Sequence, residues 1–291
     1  EFIEDIDSLP YPAWHLLPMD KYFEAANKIK ASRSISTYKK RWATIITSRG
    51  CPYKCIFCSI KPTMGHKWRS RSPEKVITEI EYLINRYKIQ HIDFEDDNLT
   101  LDKNRAEKIF EMLIEKHFDI EWSTPNGVMA QTLDENILLK MKKSGCKRVV
   151  FAPESGVQRV LKDIIRKSID LNKIVDAVKW CKKHKLLVEC FFVIGFPGET
   201  KNDILQSIDF AKYLRKLGVD ECSFYIATPF YGTELYNIAK QKGYLRDIFG
   251  DEGLNTLSGE PLIETEDFTG EELKQLWKKA NEVNSFISYG R

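Results

Sequence analysis

Six short apolar, β-branched runs alternate along this chain with segments of helical period, an alternation that restricts it to a layered fold around a mostly parallel sheet. The runs cover 42–47, 91–95, 120–123, 148–152, 187–194 and 221–227. After the first, Ser72-Pro73-Glu74 offers an N-cap serine and a proline at the first helical position. Val76, Ile77, Ile80, Leu83, Ile84 and Tyr87 then fall on one helical face. The pattern recurs with Ala106, Ile109, Phe110, Leu113 and Ile114, and with Leu133, Ile137, Leu138 and Met141 behind a capping box at Thr132-Leu133-Asp134-Glu135. Gly145 ends that helix. Leu171, Ile174, Val175 and Val178 follow Asp170 as cap, and Ile204, Ile208, Ala211, Leu214 and Leu217 run from Thr200 to Gly218.

Each strand-to-strand step is long enough for a crossover, so the strands should lie parallel and in chain order. Six units fall short of a closed eightfold barrel. The expected fold is α/β, a partial (β/α)6 barrel over 42–228, open on one side. Residues 1–41, interrupted by Pro10, Pro12 and Pro18, read as an extended segment lying on the barrel, while 229–291 form a helical C-terminal extension. That extension should hold a short helix over 234–241, a Gly-rich acidic stretch over 250–259 and an amphipathic helix over 271–286.

Composition narrows the class further. With 43% hydrophobic and 30% charged side chains, 291 residues bury a sizeable core, and the balance of 45 basic against 42 acidic residues gives 45 − 42 = +3. That charge makes nucleic acid an unexpected partner. The most apolar stretch, 186–196, is far shorter than the roughly 20 residues of a membrane helix. With no basic-then-apolar leader at the N-terminus, the expected compartment is the cytoplasm. Seven cysteines, an odd number in a long chain, read as thiols or metal ligands rather than a disulfide framework.

Three of them stand together after the first run, in Arg49-Gly50-Cys51-Pro52-Tyr53-Lys54-Cys55-Ile56-Phe57-Cys58. Three thiolates within eight residues can converge on one centre, and a cubane iron–sulfur cluster held by three ligands keeps one iron open to a further ligand. Structural zinc would need a fourth donor, for which His66 is the nearest candidate. Cys146, Cys181, Cys190 and Cys222 lie in apolar surroundings and read as buried small hydrophobes.

The Cys-x3-Cys-x-aromatic-Cys motif after the first strand of a partial barrel resembles the radical S-adenosylmethionine superfamily over roughly residues 42–228, with Cys51, Cys55 and Cys58 as cluster ligands and Phe57 at the aromatic position. The resemblance implies a 4Fe-4S cluster whose open iron chelates S-adenosylmethionine. One electron then releases methionine and a 5′-deoxyadenosyl radical that abstracts hydrogen from a substrate. A barrel interior suits this chemistry because it orients and shields the reacting group.

By the same resemblance, Asp96, Asp97 and Asn98 stand where the family contacts the cofactor's amino group, in place of the commoner Gly-Gly-Glu, and equally as caps of the following helix. Glu154 and Ser155, in Ala152-Pro153-Glu154-Ser155-Gly156, match the segment contacting ribose hydroxyls or the amino-acid part, and Arg166 matches a basic position near the carboxylate. Gly195, Pro197 and Gly198 match the turn beside adenine. Tyr225, Phe230 and Tyr231 are candidates to face substrate or to pack in the core.

The run Leu9-Pro10-Tyr11-Pro12-Ala13-Trp14 resembles the connector that precedes the radical core in members with a cobalamin-binding domain. The chain has no Asp-x-His-x-x-Gly cobalamin loop and starts with Glu1, so cobalamin is expected only from a domain outside it, in a longer natural protein. This branch includes methyltransferases and ring-forming enzymes. A small-molecule or lipid-like substrate and a reductant such as flavodoxin or ferredoxin are the expected partners. A noncatalytic iron–sulfur or zinc protein, and a radical enzyme that modifies RNA, are the alternatives.

Overall fold

The computed structural model describes residues 2–28, 40–247 and 259–287. In chain order the elements are α1 (Met19–Lys28), β1 (Trp42–Ile45), β2 (Ser48–Arg49), α2 (Ile60–Met64), β3 (Arg69–Ser70), α3 (Pro73–Tyr87), β4 (His91–Phe94), α4 (Lys103–Glu115), β5 (Glu121–Thr124), α5 (Glu135–Lys143), β6 (Cys146–Glu154), α6 (Leu171–Lys183), β7 (Leu187–Ile194), α7 (Lys201–Lys216), β8 (Glu221–Ile226), α8 (Glu234–Lys242) and α9 (Gly270–Asn281). The main sheet has the order β1-β4-β5-β6-β7-β8, every neighbouring pair parallel. This is the open α/β arrangement that the alternation predicts, and β1 and β8 remain its two edges.

One face of the sheet packs on the helices. Ile92, Phe94, Trp122, Val149, Phe151, Val188, Cys190, Phe192, Cys222 and Phe224 are all buried there. Trp122 stacks on Phe110 of α4 with centroids 5.1 Å apart and meets Phe94 edge-on at 5.2 Å, while its indole N–H donates to the Ser144 carbonyl. Cys146, Cys181, Cys190 and Cys222 are free and fully buried.

Several boundaries move for local reasons. The helix expected behind a capping box at Thr132 is capped instead by Asp134, which accepts from the Ile137 N–H; Leu133 is extended, and Thr132 ends a 3-10 turn and bonds Thr100. The N-terminal segment is not extended throughout: it holds 3-10 turns at Ile6–Ser8 and Trp14–Leu16 and then α1. Its Trp14 indole donates to buried Glu79. The C-terminal helix ends at Asn281 and continues as a 3-10 turn, Glu282–Ile287. The Gly-rich acidic stretch at 250–259 lies outside the described residues except for Gly259.

At the β8 edge, side chains replace a neighbouring strand. Asn281 accepts from the Phe224 N–H at 3.0 Å and donates to the Phe224 carbonyl at 3.2 Å. Asn284 does the same at Cys222, with both bonds 2.9 Å.

Because Trp122 holds the centre of the helix-covered layer, Trp122→Ala should cost about 3–5 kcal/mol. Urea unfolding with matched m-values checks this; a loss under about 1 kcal/mol would contradict the packing described.

Candidate active site

The cysteine loop is an insertion between β2 and β3, which pair antiparallel, Ser48 with Ser70 and Arg49 with Arg69. Gly50 opens it at φ 86°, where a Cβ would lie 2.4 Å from the Lys67 carbonyl, so no other residue fits there without moving backbone. Further along, the Ile56 N–H donates to the Ile165 carbonyl at 3.1 Å and the Ile56 carbonyl accepts from Leu235 N–H at 2.9 Å. The loop is thereby tied to the connection after β6 and to the start of α8.

Cys51, Cys55 and Cys58 are free, half-buried and share one cavity of about 570 Å3, lined also by Lys54, Lys61, His66, Arg166 and Glu234. Burial pushes all three thiols up, Cys55 to about 12 against the pull of the Lys167 ammonium, and Cys51 and Cys58 against backbone hydrogen bonds at Tyr53 and Ile60. Bound cations would supply the positive charge that converts such thiols to thiolate ligands. Among the described residues no group of three or more His, Cys, Asp and Glu side chains is set to hold a single metal ion. The His66 imidazole Nδ1 lies 3.4 Å from the Cys51 carbonyl. The three cysteines on the cavity wall offer sulfur, the kind of donor that would suit an iron–sulfur centre.

Beneath the loop lies a buried ion pair. Glu154, the last residue of β6, has φ 64°, a costly conformation for a residue with a Cβ. Its carboxylate is 2.8 Å from Lys167 Nζ, which also donates to the Ala152 carbonyl at 2.6 Å. Between them, Val160–Ile165 forms a single stretch of π-helix. Burial raises the Glu154 pKa and Lys167 opposes it; burial also works against charge on Lys167, but Glu154 and the Cys55 and Cys58 thiols outweigh it and hold the ammonium's pKa up. Lys167 was not singled out by sequence; the adjacent cation, Arg166, lies exposed and pairs with Glu234 at 2.6 Å. Only the basic doublet Arg166-Lys167 marked the place.

The acidic run after β4 divides by partner. Asp96 is buried and accepts from the Thr47 N–H and hydroxyl and from the Ser48 hydroxyl. Asp97 accepts from the Gly50 N–H at 3.1 Å. Both carboxylates therefore hold the strand-to-loop junction leading to Cys51. Burial raises both pKa values, with the hydroxyl and N–H donors opposing it. Asn98 is buried with its amide O and N both lacking a protein partner.

The turn after β7 is less close to the thiols. Gly195, Pro197 and Gly198 do not line the cysteine cavity. A Cβ on Gly195 would meet Leu273 of α9 at 2.5 Å, and Phe57 packs on Phe196 with centroids 5.5 Å apart. Ser155 is buried against the Ser207 hydroxyl at 2.9 Å. Glu199, also missed by sequence, is fully buried and accepts from the Gly195 and Phe196 N–H groups at 2.7 and 3.1 Å, and burial pushes its pKa to about 8. Tyr225 of β8 and Tyr231, in the turn that follows it, are 41% and 52% exposed, so neither is a core residue.

With this geometry in view, comparison with known proteins decides the family. The model of the radical SAM superfamily matches residues 45–211, more than half of the chain. The chain belongs to the radical SAM superfamily. An uncharacterized methyltransferase of Pyrococcus horikoshii is 36% identical over 278 residues, covering 96% of this chain and 56% of that protein. Cytidylyl-2-hydroxyethylphosphonate methyltransferase of Streptomyces wedmorensis is 36% identical over 247 residues, covering 83% and 45%. The chain thus spans about half the length of these curated relatives. Among solved structures, the radical S-adenosylmethionine methyltransferase TsrM from Kitasatospora setae, with cobalamin and a [4Fe-4S] cluster bound, superposes with a TM-score of 0.62 at 16% identity, over 87% of this chain and 48% of that one. That likeness shows a shared fold. The superfamily uses a 4Fe-4S cluster and S-adenosylmethionine and draws on a reductant. No helix among the described residues is long and apolar enough to cross a membrane.

Two outcomes follow from the buried charges. Lys167→Met should destabilise the fold by about 3–5 kcal/mol by leaving Glu154 unpaired, and adding Glu154→Gln should restore most of it; chemical denaturation of the single and double variants checks the pair. An unfolded glutamate loses its proton near pH 4.5, whereas folded Glu199 keeps it to about 8. The folded state therefore binds more protons in between, and stability falls as pH rises, by up to about 1.4 kcal/mol per unit from this group. Glu199→Gln should flatten that slope in denaturation midpoints taken between about pH 5 and about pH 8.

Proposed function

We propose that residues 42–228 are the catalytic core of a radical SAM enzyme, with Cys51, Cys55 and Cys58 as ligands of a 4Fe-4S cluster. The observation that carries this reading is the convergence of three half-buried thiols, on a loop at the C-terminal end of β1, upon a cavity bordered by Arg166 and close to the Glu154–Lys167 pair. When bound, the cluster supplies one electron and S-adenosylmethionine supplies the 5′-deoxyadenosyl radical. The chain's own residues bind and orient.

Glu154 can accept from ribose hydroxyls with Lys167 keeping its carboxylate in place. Asn98, whose buried amide has both polar atoms free of protein partners, is the member of the 96–98 run best suited to the cofactor's amino group. Asp96 and Asp97 are already engaged in holding the loop. Arg166 is placed to meet a carboxylate at the cavity wall once freed from Glu234. Phe57, Ser155, Gly195, Pro197 and Gly198 shape and close the turns around them.

For the final reaction, the two relatives at 36% identity carry methyltransferase names, which favours methyl transfer over ring or carbon–carbon bond formation. A cobalamin used in that transfer would be held by residues beyond this chain, which lacks an Asp-x-His-x-x-Gly loop. The substrate would approach the open sheet face, where Phe191 and Tyr225 meet edge-on at 5.6 Å.

Protein reconstituted without air and given dithionite and S-adenosylmethionine should yield 5′-deoxyadenosine and methionine, and Cys55→Ala should abolish both. Equal yields from the two proteins, measured by chromatography, would refute the ligand assignment, and zinc in place of iron and sulfide in the metal analysis would favour the scaffold alternative.

A further inference from the structure

Cys51 is held differently from its two companions. The Cys58 N–H donates to the Cys55 carbonyl at 3.2 Å, and Ile56 between them is tied to Ile165 and Leu235. The Cys51 N–H instead donates to the Gly65 carbonyl at 3.3 Å, on the limb that returns from the loop to β3. One side chain gathers that limb. Arg69 of β3 is 6% exposed, and its guanidinium donates to the Lys67 carbonyl at 3.1 Å, to the Ile3 carbonyl at 2.8 Å and to the Met64 carbonyl. Arg71, two residues on, pairs with Glu79, whereas Arg69 commits its fork to three main-chain oxygens. The N-terminal segment closes the arrangement from outside. The Phe2 ring lies over the Arg69 guanidinium at 5.0 Å and against Gly65, where a Cβ would fall 2.8 Å from the ring. Asp7 accepts from the Ser72 N–H at 2.9 Å and so fixes the same segment beyond β3.

We infer that Arg69 is a positioning residue for Cys51: by drawing Met64, Lys67 and Ile3 to one point it sets where the Gly65 carbonyl stands, and so where the first thiol of the cavity is presented; its use in holding a cluster rests on the reading proposed above. A planar guanidinium offers its donors in fixed directions, so three carbonyls bound to it keep a fixed geometry relative to one another. Burial keeps water from replacing those bonds. Cys55 and Cys58 are anchored through other elements, the connection after β6 and the start of α8. Loosening the knot at Arg69 therefore releases Cys51 and leaves the other two thiols in place. A cubane bound by three protein ligands needs all three presented together, which makes the placement of the first one a property of the site rather than of the fold alone.

The test labels the full metal-free chain with iodoacetamide and follows each cysteine by peptide mass spectrometry. In Arg69→Met, Cys51 should react about tenfold faster while Cys55 and Cys58 change by less than about twofold. Arg69→Lys, which keeps the charge and loses the fork, should fall between that variant and the unaltered chain. Phe2→Ala, at a residue 48% exposed, should raise the Cys51 rate by about threefold. Cys146, Cys181, Cys190 and Cys222 are fully buried and report the fold; if they are labelled in Arg69→Met, that variant has unfolded and Phe2→Ala decides. An unchanged Cys51 rate in the folded variant overturns the inference. So does an equal rise at all three thiols, the outcome of a loop loosened as a whole. After anaerobic reconstitution and reduction, the electron paramagnetic resonance signal of Arg69→Met should broaden, because one ligand no longer keeps a single geometry; a signal of unaltered shape overturns the role toward the cluster. If the unaltered chain takes up no iron and sulfide while Cys51 responds as expected, the cluster reading fails and the positioning of Cys51 stands.

Discussion

Two charges taken out of water at the end of β6 set the terms for everything around them. Glu154 and Lys167 are both buried, and each is tolerable only because the other is 2.8 Å away. Bringing them together requires a left-handed residue at Glu154 and a stretch of π-helix before Lys167. The same connection supplies the Ile165 carbonyl that holds Ile56, the residue directly after Cys55. Ion pair, irregular turn and thiol loop thus form one mechanical unit, and strain at one corner is held by hydrogen bonds at another.

Two acids, buried Asp96 and half-buried Asp97, secure the other limb of the loop. Asp96 grips Thr47 and Ser48, and Asp97 grips Gly50, so the end of β4 fixes where Cys51 begins. Both limbs are therefore set by backbone and hydroxyl donors of the chain itself. Such preorganisation matters for a site whose chemistry depends on contact geometry.

Local pattern sufficed for the architecture. Strands from 42 to 226 emerged from their β-branched runs, and helices such as Pro73–Tyr87 and Lys201–Lys216 from cap and period, because those signals act within a few residues. The three cysteines were equally plain, since their spacing is itself the chemistry. What sequence could not separate were neighbours of like type. Arg166 and Lys167 read as one basic doublet, yet one is exposed and the other buried against Glu154. Asp96, Asp97 and Asn98 read as one polar run, and only tertiary partners distinguish them. Thr132 lost its expected cap to Asp134 because a distant hydroxyl, on Thr100, claims it.

A sheet that stops at six strands leaves its last strand with hydrogen-bonding groups facing outward, a standing invitation to foreign β-structure. Here Asn281 and Asn284, three residues apart at the end of α9 and in the turn that follows, present their amides to Phe224 and Cys222 as a counterfeit strand. The sheet can consequently end at β8 without offering that edge to a foreign strand.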